Sequence, residues 1–410
     1  MPGIALTPLN GIGHAGPQRL LSRRCVIVFC RAVLAIEIAA FTFITAGTHG
    51  LIVPLQRPTS TDFVSFYAAG SLADAGTPFL AYDHAAHYAA EEHASRPGIT
   101  YNFFYYPPTF LLLCAVLARL PYLPAFIGFE VVTLSLYLLV LRRILDKRGP
   151  EILLPILAFP PVLWTIGLGQ NGFLTAGLFG AATLLVDRRP FSAGLLLGGV
   201  CWKPHFALLV PLALVAGGRW RALSGAFVST FCLCLLSLAV FGWQTWHDFF
   251  VAIVASSHVY ASGRIAFSGF VTPFGAAMLL GARPGGAAIL QIVSCAAAAV
   301  FVAFVWRRNL PLPIRAASLV SATLVAVPLA LFYDLVLAGV AGAWLLRGDG
   351  EFKLTEWQKW LLAGLFVLCL NPRGIAADWH LPVGPLIALV LATLTAAVAL
   401  RHRRMLLRAD

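Results

Sequence analysis

Long apolar runs separated by short polar knots recur along this chain, and most approach the length of a bilayer crossing. A helix needs about 20 apolar residues to cover a hydrocarbon core roughly 30 Å thick. Runs at 25–47, 124–141, 152–168, 171–186, 191–202, 205–217, 222–241, 286–306, 315–329, 333–346, 358–371 and 381–400 predict an all-α polytopic membrane protein of about twelve transmembrane helices. They form one transmembrane domain, 25–400, between an N-terminal tail, 1–24, and a basic C-terminal tail, 401–410. The first run exceeds the core of a signal peptide and no A-x-A site follows it, so it is expected to persist as an uncleaved span. The stretch 107–120 is apolar but shorter, and Pro121 and Pro124 cut it off, which predicts a partial crossing or an interfacial segment. No internal repeat relates the two halves.

Composition agrees with this pattern. Of 410 residues, 60% are hydrophobic and only 11% charged, against roughly 25% charged in a soluble domain. The net charge of +12 does not point to nucleic acid, because the basic residues form knots between apolar runs, as topology signals do. With both ends inside and 107–120 not crossing, the inner knots at 19–24, 142–148, 188–189, 219–221, 307–315, 347–359 and 401–408 hold 21 Lys and Arg. The outer side holds six: Arg57, Arg96, Lys203, Arg264, Arg283 and Arg373. The bias predicts a plasma or inner membrane protein with cytoplasmic termini. The eight cysteines lie in apolar stretches and form no CxxC pair, so they read as small core residues.

The polar features then collect on the outer side: a long first loop (49–105), the turns Gly169-Gln170-Asn171 and Lys203-Pro204-His205, the loop 243–270, the approach to Tyr333-Asp334, and Asn371–Leu381. Within the first loop, Thr61 and Asp62 precede a helix expected over Phe63–Ala75 and ended by Gly76. Its Phe63, Phe66, Tyr67 and Gly70 share a face, as on a helix lying at the membrane surface. A second short helix is expected over His84–Ala94, and Tyr101–Tyr106 reads as an interfacial aromatic belt. Two readings of Asp62 stand: an N-cap accepting amide hydrogen bonds, or a general base at the membrane surface.

Other residues carry paired readings. Lys203 is a phosphate partner or a lysine snorkelling to the interface, with His205, Arg264 and His258 as further candidates for holding a phosphate. Gln170 and Asn171 hydrogen-bond a sugar or simply turn the chain. Asp334, beside Tyr333, orients a cation or substrate, or is a helix-start acid; Arg373 and His380 are further substrate-binding candidates. Asp74 and Asp83 read as structural. His84, His87 and His93 beside Glu91 and Glu92 imitate a metal site but read better as a solvated helix face, so neither a metal nor a cofactor is expected. Glu37 and Glu130 lie within spans and are expected to find partners inside the bundle.

Four stretches occur in one order: TDFVSFYAAGSLADAGTPFLAYD, YYPPTFLLLCAVLARLP, GLGQNGFLTAGLFGAATLLVDRRPFSAGLLLGGVCWKPHFALLVPLALV and ATLVAVPLALFYDLVLAGVAGAWLL. Together they resemble glycosyltransferase family 87, polytopic enzymes of the GT-C architecture that include polyprenol-phosphate-mannose-dependent mannosyltransferases. The resemblance runs from about Asp62 to Leu346 and weakens beyond it. The family's polar residues before the Tyr-Asp pair are replaced here by Leu329-Ala330-Leu331. The resemblance implies inverting transfer of a hexose such as mannose from a polyprenyl-phosphate donor to a lipid or glycan acceptor, with Asp62 at the position of the base. A lipid phosphate is already a good leaving group, so one acid and some cationic or hydrogen-bonding groups suffice. The competing class, a transporter or lipid flippase, is expected to show related halves and broken helices at matching positions.

Overall fold

The computed structural model describes residues 23–47, 54–55, 57–58, 62–146, 149–308, 310–347, 352 and 354–407. The described regular structure is helical apart from an isolated Phe270–Leu331 bridge and a two-residue antiparallel pairing of Pro54–Leu55 with Arg57–Pro58. The α-helices are α1 (Arg23–Gly47), α2 (Phe63–Asp74), α3 (His84–Ala94), α4 (Pro108–Ala118), α5 (Tyr122–Leu145), α6 (Leu153–Leu157), α7 (Pro160–Leu168), α8 (Gly172–Leu185) and α9 (Pro190–Gly198). They continue with α10 (Val210–Ala216), α11 (Trp220–Ala261), α12 (Pro273–Leu279), α13 (Pro284–Arg307), α14 (Leu312–Ala326), α15 (Val336–Arg347), α16 (Glu356–Leu368), α17 (Pro372–Trp379) and α18 (Val383–Leu406).

Among the described residues, five helices are long and apolar enough to cross a membrane, in α1, α5, α11, α13 and α18; a sixth arises if α16 and α17, bent by 72° at Asn371, count as one. Their outer faces are apolar and bare, with Ile36, Val132, Phe227, Val254 and Ile292 all more than half exposed, which suits hydrocarbon as solvent. The protein is therefore an integral membrane protein, and five or six of the expected crossings are helices long enough to span by themselves. The expected run 152–168 divides at Pro160 into α6 and α7, because a proline inside a helix removes a hydrogen bond and clashes with the preceding turn. The runs 191–202 and 205–217 likewise become short helices and 3₁₀ turns around Pro204. These pieces need not face lipid: α14, 15 residues long, is buried from Pro313 to Ala326. α4, with 11 residues, is also among the shorter apolar helices.

Two expectations about the region after the first span change. α2 does not lie free on a surface, because residues on all its sides are buried. It packs so closely on α4 that a Cβ at Gly70 would sit 2.0 Å from the Cys114 carbonyl oxygen. The loop expected over 243–270 is instead helical as far as Ala261, continuing α11 past a break at Gly242 (φ 76°). The cysteines are also less uniform than expected: Cys30, Cys114 and Cys369 are buried, whereas Cys25 and Cys232 are exposed.

The bundle has two chemically distinct ends. At one, Asp187 after α8 bridges Arg219 (2.7 Å) and Arg315 (2.5 Å), tying α8 to the starts of α11 and α14. The 14 residues of α8 carry the chain about 21 Å from there back to Asn171 at the other end. An apolar cavity of about 740 Å³, lined by Leu141, Phe159, Gly342 and Phe366 among others, opens along the far halves of α5 and α15. It contains no cluster of polar groups; the candidate chemistry lies at the opposite ends of these helices.

Candidate active site

The site is assembled by three turns and one helix start. α7 ends at Gly169, whose left-handed backbone (φ 66°) lets the chain reverse into α8; a Cβ there would also lie 2.6 Å from the Phe63 side chain. That close approach places Gln170 beside Asp62. The turn before α15, Phe332–Leu335, is clasped to α7 by a hydrogen bond from Thr165 Oγ1 to the Tyr333 carbonyl, 3.2 Å. It is held to the segment after α11 by Val271 N–H donating to the Ala330 carbonyl, 2.9 Å.

Asp62 has the local position of an N-cap but not the function. Its backbone is already helical (φ −60°, ψ −18°) and its side chain caps no amide, which removes the capping reading of Asp62. Its carboxylate instead accepts a hydrogen bond from Gln170 Nε2 at 2.9 Å. Burial raises its pKa above the usual carboxylate range, while the Gln170 hydrogen bond and the charge of Arg373 oppose that rise. Gln170 Oε1 lies 3.5 Å from the Tyr106 hydroxyl. Asn171 is fully buried beside Tyr106, and neither atom of its amide meets a partner at full hydrogen-bond geometry. Its side chain does not cap α8, whereas Gln170, through Asp62, does more than turn the chain.

Lys203 and Asp334 are both buried and form an ion pair at 2.8 Å, with side-chain exposures of 4% and 3%. The lysine does not snorkel: its ammonium lies 5.1 Å from the Phe206 ring centre and 5.4 Å from that of Tyr333. Asp334 fulfils both of its expected roles, one oxygen meeting the cation and the other accepting the Leu331 N–H at 3.1 Å. The Tyr106, Tyr333 and Tyr260 hydroxyls face this space, where the charges of Asp62 and Asp334 reach Tyr106 and Tyr333. Tyr106 and Tyr260 escaped the sequence reading; the dense aromatic run 101–106 was the available signal, read only as a belt.

At the rim, Arg373 is exposed with its guanidinium 5.6 Å over the Phe332 ring, and its charge acts on Asp62. Arg264 is exposed and acts on Tyr105. The His205 ring lies tilted against that of Phe206, centres 5.0 Å apart, beside Lys203. His380 is exposed in a left-handed turn after α17, and among the described residues no contact joins it to the cluster. The His258 side chain lies outside the described residues.

Several secondary expectations resolve here. Asp74 pairs with Arg119 at 3.0 Å, and Asp83 caps α3 by accepting the Ala86 N–H at 2.8 Å. His87 and Glu91 are completely buried, so the solvated-face reading of α3 fails for them. Among the described residues no three His, Cys, Asp or Glu side chains group as metal ligands. Among the described residues, Glu130 is buried with neither carboxyl oxygen hydrogen-bonded, and one oxygen of Glu37 is likewise without a partner.

A sheltered carboxylate among buried polar side chains, set into one end of an apolar helical bundle, marks an integral membrane protein with its polar groups gathered at one end. Compared with known protein families, residues 104–331 match glycosyltransferase family 87. The match spans more than half of the chain, and the protein belongs to this family: it is a membrane glycosyltransferase. No curated protein and no solved structure matches it.

Proposed function

We propose that this glycosyltransferase moves a hexose such as mannose from a polyprenyl-phosphate donor to a hydroxyl of a lipid or glycan acceptor, with inversion, at the outer face of the cell membrane. The twelve-pass arrangement with cytoplasmic ends belongs to this reading, the short and broken helices counting as packed crossings. The observation that carries it is Asp62: a carboxylate at the start of a helix that caps nothing, is held by the Gln170 amide, and faces the cationic rim at Arg373.

Asp62 takes the acceptor proton while the acceptor oxygen bonds to the anomeric carbon from the side opposite the phosphate. The anomeric C–O bond breaks, and its electrons leave with the lipid phosphate. Burial, by raising the proton affinity of Asp62, suits it to this task. Arg373 and Arg264, exposed at the rim, receive the phosphate, where cationic groups stabilise the charge that develops on it. Lys203, already neutralised by Asp334, joins His205 and His258 as a secondary phosphate contact. Gln170, Asn171, Tyr333, Asp334 and His380 complete the substrate-binding set, and the buried Asn171 amide beside Tyr106 is suited to a sugar hydroxyl.

Asp62→Asn tests the base directly. Asparagine keeps an oxygen for the Gln170 amide but cannot take the proton, so the variant should melt like wild type and transfer sugar about 10²–10⁴-fold more slowly. The assay follows labelled hexose from a panel of synthetic short-chain polyprenyl-phosphate hexoses into membrane lipid extracts. A stable Asp62→Asn protein within a few-fold of wild-type rate removes Asp62 as the base.

A further inference from the structure

A second set of buried polar groups lies behind Asp62. α3 turns His87 and Glu91 inward, one helical turn apart and fully shielded from solvent. His87 Nε2 meets the Ser65 carbonyl at 3.1 Å. A carbonyl only accepts, so Nε2 carries the hydrogen, and in a neutral ring Nδ1 then presents a lone pair. That Nδ1 faces Glu91 Oε1 at 3.8 Å. The other carboxyl oxygen, Oε2, accepts the Asn102 N–H at 3.1 Å. Among the described residues neither Nδ1 nor Oε1 has a hydrogen-bond partner. A carboxylate and a ring lone pair brought face to face without water repel each other, and one proton between them reverses the sign. Burial raises Glu91 to about 8 and lowers His87 to about 4, which leaves that proton on Glu91 at neutral pH.

The pair joins two parts of the site. Ser65 lies in the first turn of α2, three residues from Asp62. Asn102 belongs to the aromatic run that delivers Tyr106 to Gln170, the residue holding Asp62. The surrounding charged and titratable groups are few. Asp62 acts on Glu91 from the start of α2, and His84 acts on His87 from α3. The Tyr101 ring packs on both His84 and His87. Glu92 and Asp83 are engaged with the amides of Gly98 and Ala86.

We propose that Glu91 and His87 are positioning residues for Asp62: with Glu91 a carboxylic acid facing the neutral His87 ring, they brace the start of α2 and the aromatic run against each other and keep a second negative charge away from the base. The catalytic consequence rests on the reading of Asp62 as the base; the proton on Glu91 does not, and it can be measured without substrate. From pH 6.5 up to about 8, folded Glu91 holds a proton that the unfolded chain has lost, and the proton an unfolded histidine still partly binds near pH 6.5 offsets some of that difference until about pH 7.5. Wild-type stability should therefore fall as pH rises through that window and level off above it. Glu91→Gln supplies an N–H toward Nδ1 and an oxygen for the Asn102 amide without titrating, so its melting temperature should lack this fall.

The experiment uses the full chain in nanodiscs, comparing melting curves at pH 6.5–8.5 and infrared difference spectra at pH 7. Wild type should show a carboxylic-acid C=O band that Glu91→Gln lacks and Asp62→Asn retains. Loss of carboxylate bands instead, with parallel melting profiles for wild type and Glu91→Gln, overturns the proposal. An active Asp62→Asn enzyme that keeps the Glu91 band would remove the base and leave the protonated Glu91 standing, so the two failures are distinct.

Discussion

Cutting the Lys203–Asp334 pair should cost stability rather than merely weaken a substrate. At 2.8 Å and an effective dielectric near 20, the attraction amounts to about 6 kcal/mol before desolvation is charged against it. Breaking buried pairs by removing one partner costs about 3–5 kcal/mol, because the survivor stays buried and unpaired. The survivors here are cushioned to different degrees. After Lys203→Met, Asp334 retains only the Leu331 N–H among its hydrogen bonds described above. After Asp334→Asn, Lys203 keeps two aromatic rings at 5.1 and 5.4 Å, worth about 0.5–2 kcal/mol. We therefore expect about 3–5 kcal/mol from Lys203→Met and a somewhat smaller loss from Asp334→Asn, with the double variant well short of their sum. The assay is equilibrium unfolding in mixed micelles, run as a double-mutant cycle. Additive single effects below about 1 kcal/mol would refute the buried pair. A Lys203→Met protein of unchanged stability but sharply raised donor KM would place the ammonium on the donor.

Two further perturbations test the packing that positions the site. Gly70→Leu forces a side chain into the Cys114 carbonyl, so it should destabilise by about 1–3 kcal/mol or more; a melting curve matching wild type would contradict the α2–α4 contact. Asp187→Asn removes the charge that ties Arg219 and Arg315; because Asp187 is one-third exposed, the expected loss is only about 1–2 kcal/mol, read by the same unfolding assay.

The helices of α2 and α3 were legible residue by residue, since Asp62, Gly76 and Asp83 punctuate them where the backbone turns. The membrane class was legible too, from run length and scarce charge. Glu91 shows where this reading stops. On the sequence it belongs to a charged, histidine-rich helix and looks solvated, yet its side chain is enclosed by α2 and the aromatic run, contacts formed between distant segments.

The sequence alone therefore determined an apolar, helix-built membrane protein with its polar turns collected toward one end, because apolar run length and charge spacing act locally along the chain. Which runs stay whole, and what Asp62 is for, only the tertiary structure decided. Proline breaks become tolerable when neighbouring helices cover the broken pieces. The role of a carboxylate depends on the partner brought to it: Gln170, 108 residues away, holds the oxygen that local spacing assigned to a helix cap.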